Sequence, residues 1–214
     1  MSNKILIYIT VALIIVLGVV AGTYFVKENK LPDNELEKEE TIIPSNGLED
    51  NKSGFSGNET GPEAQEEENL LVKDDFSIKV PEGWRETTAL QGISAMIINV
   101  NEEITDPNVK KINFRSYFSV SYDSLQERGM EEYVEYTKNS LSQVIPGIVF
   151  THQEAQAIEA EITQQGVDFK VLIVFVKGVE EEDVWVISFN TVKGNWDGYK
   201  DLFYEIAESF KVKI

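Results

Sequence analysis

The sequence of 214 residues contains no cysteine and only one histidine, His152. The lack of cysteine excludes disulfides, cysteine-ligated zinc, a cysteine nucleophile and lipid attachment to an N-terminal cysteine. A single histidine leaves little room for a catalytic triad. No nucleophile elbow surrounds a serine, and no glycine-rich phosphate-binding loop is present. We therefore predict that the protein is not an enzyme and has no cofactor.

Basic residues are also scarce, with 19 lysines and arginines against 37 aspartates and glutamates. The formal net charge is −18. Nucleic-acid binding needs clustered lysine and arginine to contact phosphates, so this balance predicts no nucleic-acid partner. The same charge disfavours peripheral docking on anionic lipid headgroups.

One long apolar run is present near the N-terminus, where Ile5 to Val26 comprise 22 residues without a charge. As a helix this run spans roughly 33 Å, enough for a hydrocarbon core of about 30 Å. We predict a transmembrane helix over residues 5–26. A cleaved signal peptide is the alternative, but the run is longer than a typical signal core and Val19-Val20-Ala21 is a poor cleavage site. A pilin-type helix is disfavoured because no glutamate lies within the run.

The charges at the two ends of this run do not favour a cytoplasmic N-terminus, since Lys4 precedes it while Lys27 and Lys30 follow it. The tail before the run is short, however, and a long polar stretch after it suits an exterior stalk. We therefore expect a single-pass protein of the cell membrane, with its C-terminal domain outside the cytoplasm.

An acidic stretch separates the apolar run from the rest of the chain. Lys27 to Asp75 hold 15 acidic residues against 5 lysines. Few apolar groups are available to offset ordering entropy, and like charges repel, so we predict a disordered, extended linker over residues 27–70. Asn51 and Asn58 begin N-glycosylation acceptor triplets in it, although such triplets also occur by chance in polar linkers.

Residues 71–214 are predicted to form one α+β domain, an antiparallel sheet with two packed helices. The central strand is expected at Asp168–Lys177, which is apolar on both faces and should be covered on one side by helices. The apolar spacing predicts the helices at Met130–Ile145 and Trp196–Phe210. Asn195 can cap the second helix, and a polar loop is expected through Asp106-Pro107-Asn108. Further strands are predicted at Phe76–Val80, Ala95–Val100, Asn113–Tyr122, Ile148–Glu154, Ala157–Thr163 and Val184–Asn190.

Phe76 to Trp84 have the pattern F-x-x-x-x-P-x-G-W, which is similar to the opening of the PsbP-like family. A helix near Glu131 to Val134, then Gly166, the strand Trp185 to Phe189 and the "S-F" helix end at Ser209-Phe210 follow in the family's order. The resemblance implies the fold of PsbP and the Mog-type proteins, and a non-enzymatic role in binding or assembly. PsbP of plants is an extrinsic subunit of photosystem II. The predicted membrane anchor and acidic linker depart from that subunit, so a photosynthetic role is not implied.

Three groups of residues are weighed as sites. His152, Glu154 and Gln156 share one strand face, but one imidazole and one carboxylate are too few for a transition-metal site. Glu180 to Asp183 could attract Ca²⁺ yet lack the spacing of a calcium loop, and an acidic hairpin tip is usually only solvated. The three tryptophans could line a ligand pocket, although aromatic residues at such spacings usually belong to a core. They are Trp84, Trp185 and Trp196. We predict no metal site and no catalytic residue.

Two hypotheses for the function remain. The first is a membrane-tethered, non-enzymatic binding or assembly module with a protein partner, which predicts an exposed apolar or charged patch. The second is an envelope domain that senses a ligand or metal, or an unrecognised hydrolase. It predicts a pocket with converging polar groups and titratable residues of perturbed pKa.

Overall fold

The structure is a computed structural model that describes residues 69–213. The predicted membrane helix, nearly all of the predicted linker, and Asn51 and Asn58 lie outside this range. Within it no helix is long and apolar enough to cross a membrane. The strands are β1 (Leu70–Val72), β2 (Phe76–Lys79), β3 (Trp84–Thr87), β4 (Ala95–Asn99), β5 (Tyr117–Ser124), β6 (Val149–Glu154), β7 (Ala157–Gln164), β8 (Val167–Lys177), β9 (Asp183–Val192) and β10 (Lys211–Val212). The α-helices are α1 (Pro107–Ile112), α2 (Met130–Val144) and α3 (Trp196–Glu208).

Seven strands form one antiparallel sheet in the order β3-β4-β5-β9-β8-β7-β6. Strands β6 to β9 are consecutive along the chain and pair with their neighbours, so they form a meander. Strand β5 pairs with β9, and the chain then crosses through α2 to reach β6 at the far edge. The antiparallel α+β class predicted from the sequence is therefore confirmed.

A second sheet of three strands has the order β1-β2-β10. It joins the two ends of the described chain, because β2 pairs with both β1 and β10. A hydrogen bond from the Lys79 backbone N–H to Ser209 Oγ, at 2.9 Å, also fixes β2 to the end of α3. The burial of Phe76 and Ile78 places this small sheet against the same core as α3.

Helices cover both faces of the large sheet. The side chains of a strand alternate between its faces, so neighbouring residues of β8 contact different helices. On one face, Leu172 of β8 and Ile187 of β9 pack in a cluster with Phe203 and Ile206 of α3. On the other face, Ile173 of β8 packs in a cluster with α2. A third cluster on this second face contains residues of α1. Helices were predicted on one side of the central strand only, and the structure corrects this to both sides.

The long elements lie close to their predicted positions. Helix α2 ends at Val144 and α3 at Glu208, and Trp84 is buried as expected. The strand predicted to start at Asn113 starts at Tyr117, because Asn113 has the left-handed φ of 51° that ends α1.

Helix α1 is a third helix where a polar loop was predicted. The Asp106 side chain accepts hydrogen bonds from the backbone N–H groups of Asn108 and Val109, and Pro107 occupies the first turn. Asp-Pro is a signal for a turn, but the same residues cap and begin a helix. Asn195 occupies the N-cap position of α3 as predicted, but its side chain makes no capping bond and donates instead to Glu102 Oε1 at 3.3 Å.

Candidate functional site: an apolar groove with an acidic rim

A groove of about 450 Å³ lies at the end of the large sheet that carries the β6–β7 and β8–β9 turns. We call it the hairpin-end groove. Its walls come from the β6–β7 turn, the end of β8 and the last turns of α3. The volume is within the range of about 300–1,000 Å³ that is common for ligand sites. Its apolar lining is formed by Ala157, Val174, Val176, Tyr204, Ala207 and Phe210.

The sheet register relates the groove residue Val176 to an exposed aromatic side chain two strands away, Tyr122. Val176 of β8 is opposite Trp185 of β9, and Trp185 is opposite Tyr122 of β5. Tyr122 is 53% exposed and its ring meets the ring of Trp185 edge-on at 5.4 Å. Phe210 is 5.7 Å from Trp185 between ring centroids and packs on it from the α3 side. Tyr122 is thus an exposed aromatic side chain outside the groove, and the buried Trp185 lies between it and Val176.

Carboxylates border this apolar surface. Glu154 and Glu208 line the groove, and no lysine or arginine does. Outside the groove, Asp183 accepts a hydrogen bond from Tyr122 Oη at 2.5 Å. That bond, assisted by burial and by the charges of Asp183 and Glu180, raises the pKa of Tyr122 to about 12. The rim therefore combines negative charge with tyrosines that stay protonated at neutral pH.

An ion-pair network lies beside the groove, between the sheet and α3. Glu159 of β7 accepts from Lys170 of β8 at 3.0 Å and from Lys200 of α3 at 3.4 Å. The Tyr204 hydroxyl donates to the same carboxylate at 3.2 Å. Burial first, and then the charge of Glu159, raise the pKa of Tyr204 to about 12. The network holds Tyr204 in one orientation on the groove wall.

A second polar cluster lies at the opposite end of the sheet. Glu102 accepts hydrogen bonds from Ser116 Oγ at 2.7 Å and from Tyr199 Oη at 3.1 Å. Arg115 donates to the carbonyl oxygens of Val100 and Glu102 at 3.0 and 2.6 Å. A cleft of about 40 Å³ beside Glu102 has room for little more than a water molecule. Since the carboxylate is fully engaged with neighbouring donors, this cluster fixes the loop before α1.

The two groups of residues that the sequence analysis considered as metal sites, and set aside, lie in different parts of the described structure. His152 Nε2 is 3.0 Å from Glu154 Oε1 on an exposed part of β6. Across residues 69–213 no group of three or more histidine, aspartate or glutamate side chains is placed to hold a metal ion. In the acidic tip, Glu182 Oε2 accepts from the Glu127 backbone N–H at 2.7 Å, and Asp183 is bonded to Tyr122. These carboxylates therefore position the neighbouring loop and Tyr122.

The three tryptophans are buried in the core between the sheet and α3. Trp84 and Trp196 both contact the ring of Phe203, at 6.3 and 6.2 Å between centroids. Only Trp185 approaches the candidate site, where its ring supports Tyr122. The three tryptophans thus belong to a packed core and do not line a ligand pocket.

The groove residues were not predicted from the sequence as a site. Ala157, Val174 and the pair Ala207 and Phe210 come from three separate segments, and each belongs to a pattern that also describes a buried face. The one available signal was Tyr122, a large aromatic residue at the end of a strand beside Asp123.

The chain was compared with known proteins. No family model matches it, and no curated protein matches it. Solved structures do match. LpqN, involved in cell envelope biogenesis of Mycobacterium tuberculosis, is 12% identical with a TM-score of 0.46, over 65% of this chain and 83% of LpqN. The PsbP of Synechocystis, CyanoP, is 17% identical with a TM-score of 0.40, over 64% of this chain and 86% of that chain.

A mutant of the protein Mog1 is 13% identical, with a TM-score of 0.45, over 64% of this chain and 90% of that chain. The matched structures thus include a PsbP and a Mog1, the two kinds of protein named in the resemblance read from the sequence. At identities of 12–17%, these likenesses are similarities of fold alone.

Proposed function

We propose that the protein is a non-enzymatic binding module, tethered to the outer side of the cell membrane by its N-terminal helix. Its binding surface is the hairpin-end groove. The occupant is a segment of a partner protein that presents apolar side chains flanked by lysine or arginine. The observation that carries this proposal is the apolar groove with Glu154 and Glu208 on its rim.

Charge complementarity selects this occupant. The domain from Phe76 to Ile214 holds 22 acidic against 13 basic residues, so its field attracts cations. The chain's own linker is acidic as well, with 15 acidic residues against 5 lysines from Lys27 to Asp75. Like charges disfavour folding of that linker back into the groove. A separate, basic partner satisfies both the apolar floor and the acidic rim.

The binding test uses the full-length protein in detergent micelles and two fluorescent peptides of equal length. One peptide is composed of leucine and lysine, the other of leucine and glutamate. We expect fluorescence anisotropy to show binding of the first only, weakening as salt screens the rim. Reversing both rim charges, Glu154→Lys with Glu208→Lys, should weaken binding about tenfold, because two partial ion pairs become repulsions.

The matched control is the double variant Glu82→Lys with Asp201→Lys. It changes the net charge equally, and both residues are exposed and absent from the groove lining. It should bind the lysine peptide nearly as the wild type does. Equal binding of the two peptides, or equal weakening by both double variants, would exclude the groove as the site.

The orientation in the membrane has a separate test. Because the chain has no cysteine, one introduced at the exposed hairpin tip, Glu181→Cys, is unique. A membrane-impermeant maleimide should label it on intact cells. Labelling only after the cells are lysed would place the domain in the cytoplasm and contradict the proposed location.

A further inference from the structure

A stripe of buried polar side chains crosses the sheet on its α1/α2 face. Tyr117 of β5 is directly opposite Asn190 of β9, and Ser119 is directly opposite Ser188. All four are buried. The stripe lies between two apolar clusters, one that includes Tyr117 and α1 and one that includes Ile173 and α2. Strand positions at the centre of a sheet are normally filled by β-branched or aromatic residues, so polar residues here need an explanation.

The Tyr117–Asn190 pair of this stripe lacks hydrogen-bond partners. Neither Nδ2 nor Oδ1 of Asn190, nor the hydroxyl of Tyr117, has a hydrogen-bond partner among the described residues. Asn190 is fully buried and Tyr117 is 2% exposed. Native proteins pair the large majority of such groups, and each unpaired one costs about 1–3 kcal/mol. A central asparagine without a partner would be more costly than the leucine that could replace it.

The chemistry of the surroundings defines what would satisfy these groups. Asn190 offers one acceptor and one donor group, and burial raises the pKa of Tyr117 so that its hydroxyl stays neutral. The adjoining clusters are apolar, with Met96 and Phe169 on one side and Val171 and Ile173 on the other. A charged ligand would be unpaired here, and a large one would displace packed side chains. The small side chains of Ser119 and Ser188 form the next pair on the same face of these two strands.

We propose that Asn190 and Tyr117 form an internal binding site for a neutral ligand of about the size of water that both donates and accepts hydrogen bonds. Buried water molecules make about three hydrogen bonds to such groups and are costly to remove. The ligand is therefore either water or a small organic molecule with the same hydrogen-bonding groups, such as an amide or alcohol. The site is independent of the groove, which lies on the opposite face of the sheet.

The substitution Asn190→Leu tests the proposal by the sign of its effect on the full-length chain in detergent. Leucine has a similar size and removes both amide groups. If a ligand satisfies Asn190, the variant displaces it and leaves the remaining polar groups of the stripe without a partner, so the melting temperature should fall by several degrees. A rise in melting temperature would mean that Asn190 is unsatisfied, and would overturn the proposal.

A high-resolution crystal structure of the wild type provides a reading that does not depend on the variant's folding. Ordered density within hydrogen-bonding distance of the Asn190 carboxamide would support the site, and continuous packing with no such density would refute it. Native mass spectrometry then distinguishes water from a small organic ligand. Density without added mass identifies water, whereas a retained mass lost in Asn190→Leu identifies a small organic ligand.

Discussion

Glu159 is a residue at which burial and charge act in opposite directions. Its side chain and that of Lys170 are nearly inaccessible, with 5% and 6% exposed. Burial would raise the pKa of Glu159, but the ammonium groups of Lys170 and Lys200 outweigh it and hold the pKa below its ordinary value. Lys170 also bonds Thr151 and lies 5.2 Å from the ring centre of Trp196. The attraction between Glu159 and Lys170 thus offsets the cost of burying each of these charges.

Breaking this pair from one side should therefore be costly. We expect Glu159→Ala to lower the free energy of unfolding by about 3–5 kcal/mol, because Lys170 remains buried without its main partner. The double variant Glu159→Gln with Lys170→Met removes both charges and should recover most of that loss. Urea unfolding of the three proteins measures the differences. A double variant as unstable as the single one would show that packing, rather than the charge, is lost.

The lowered pKa of Glu159 also predicts a pH dependence. A carboxyl with a depressed folded-state pKa contributes stability above its unfolded pKa, here 4.5, and loses it as pH falls through the lower folded value. The stability difference between the wild type and Glu159→Gln should thus be constant near neutral pH and shrink below about pH 4.5. Glu132→Gln, at an exposed position on α2, is the control. A difference that stays constant down to pH 2 would contradict the expected linkage.

At the level of elements, the sequence predicted the long helices and strands, whose apolar residues repeat at a regular spacing. Helices α2 and α3 and the strands of the meander were found because apolar residues recur there over many positions. Strands β1 and β10 have three and two residues, which is too short for a pattern, and they exist only through pairing with β2. Strand β3 has four residues, of which only Trp84 is apolar, so it shows no apolar alternation. Helix α1 was missed because Asp106-Pro107 signals a turn as well as a helix start. The groove was missed because it depends on how distant elements meet.

The turn between β8 and β9 gives a prediction at this scale. A Cβ atom on Gly178 would lie 2.3 Å from Cβ of Asp183, so one of them must shift. We expect Gly178→Ala to cost about 1–3 kcal/mol by overpacking. Asp183 would also move away from Tyr122, whose pKa should fall from about 12 towards 10.0. Urea unfolding and ultraviolet titration of the tyrosines measure the two effects.

Gly198 provides the matched control within α3. Nothing lies within 4 Å of its added Cβ, and the residue is exposed. Gly198→Ala should therefore raise stability by about 0.5–1 kcal/mol, since alanine loses less backbone entropy in a helix. If both alanine variants were neutral, the close approach at Gly178 would be relieved by a small shift of the turn.

At the scale of the whole molecule, the large sheet separates two cores. Ile158 packs in the cluster under α2, whereas Ile206 packs in the cluster under α3. We expect Ile158→Val and Ile206→Val each to cost about 0.5–1.5 kcal/mol. Because they share no cluster, the double variant should show the sum of the two costs within about 0.5 kcal/mol. Thermal or urea unfolding tests this, and a larger deviation would mean that strain passes through the sheet.

The position of β5 has a consequence for the order in which the chain folds. Strands β6 to β9 follow one another through short turns, and hairpins of this kind form within microseconds. Strand β5 comes from before α2 and reaches β9 only when the whole intervening segment closes, which is the slower step. Until then the apolar edge of β9 is unpaired. We therefore expect this intermediate stage to be the one at which two nascent chains exchange strands.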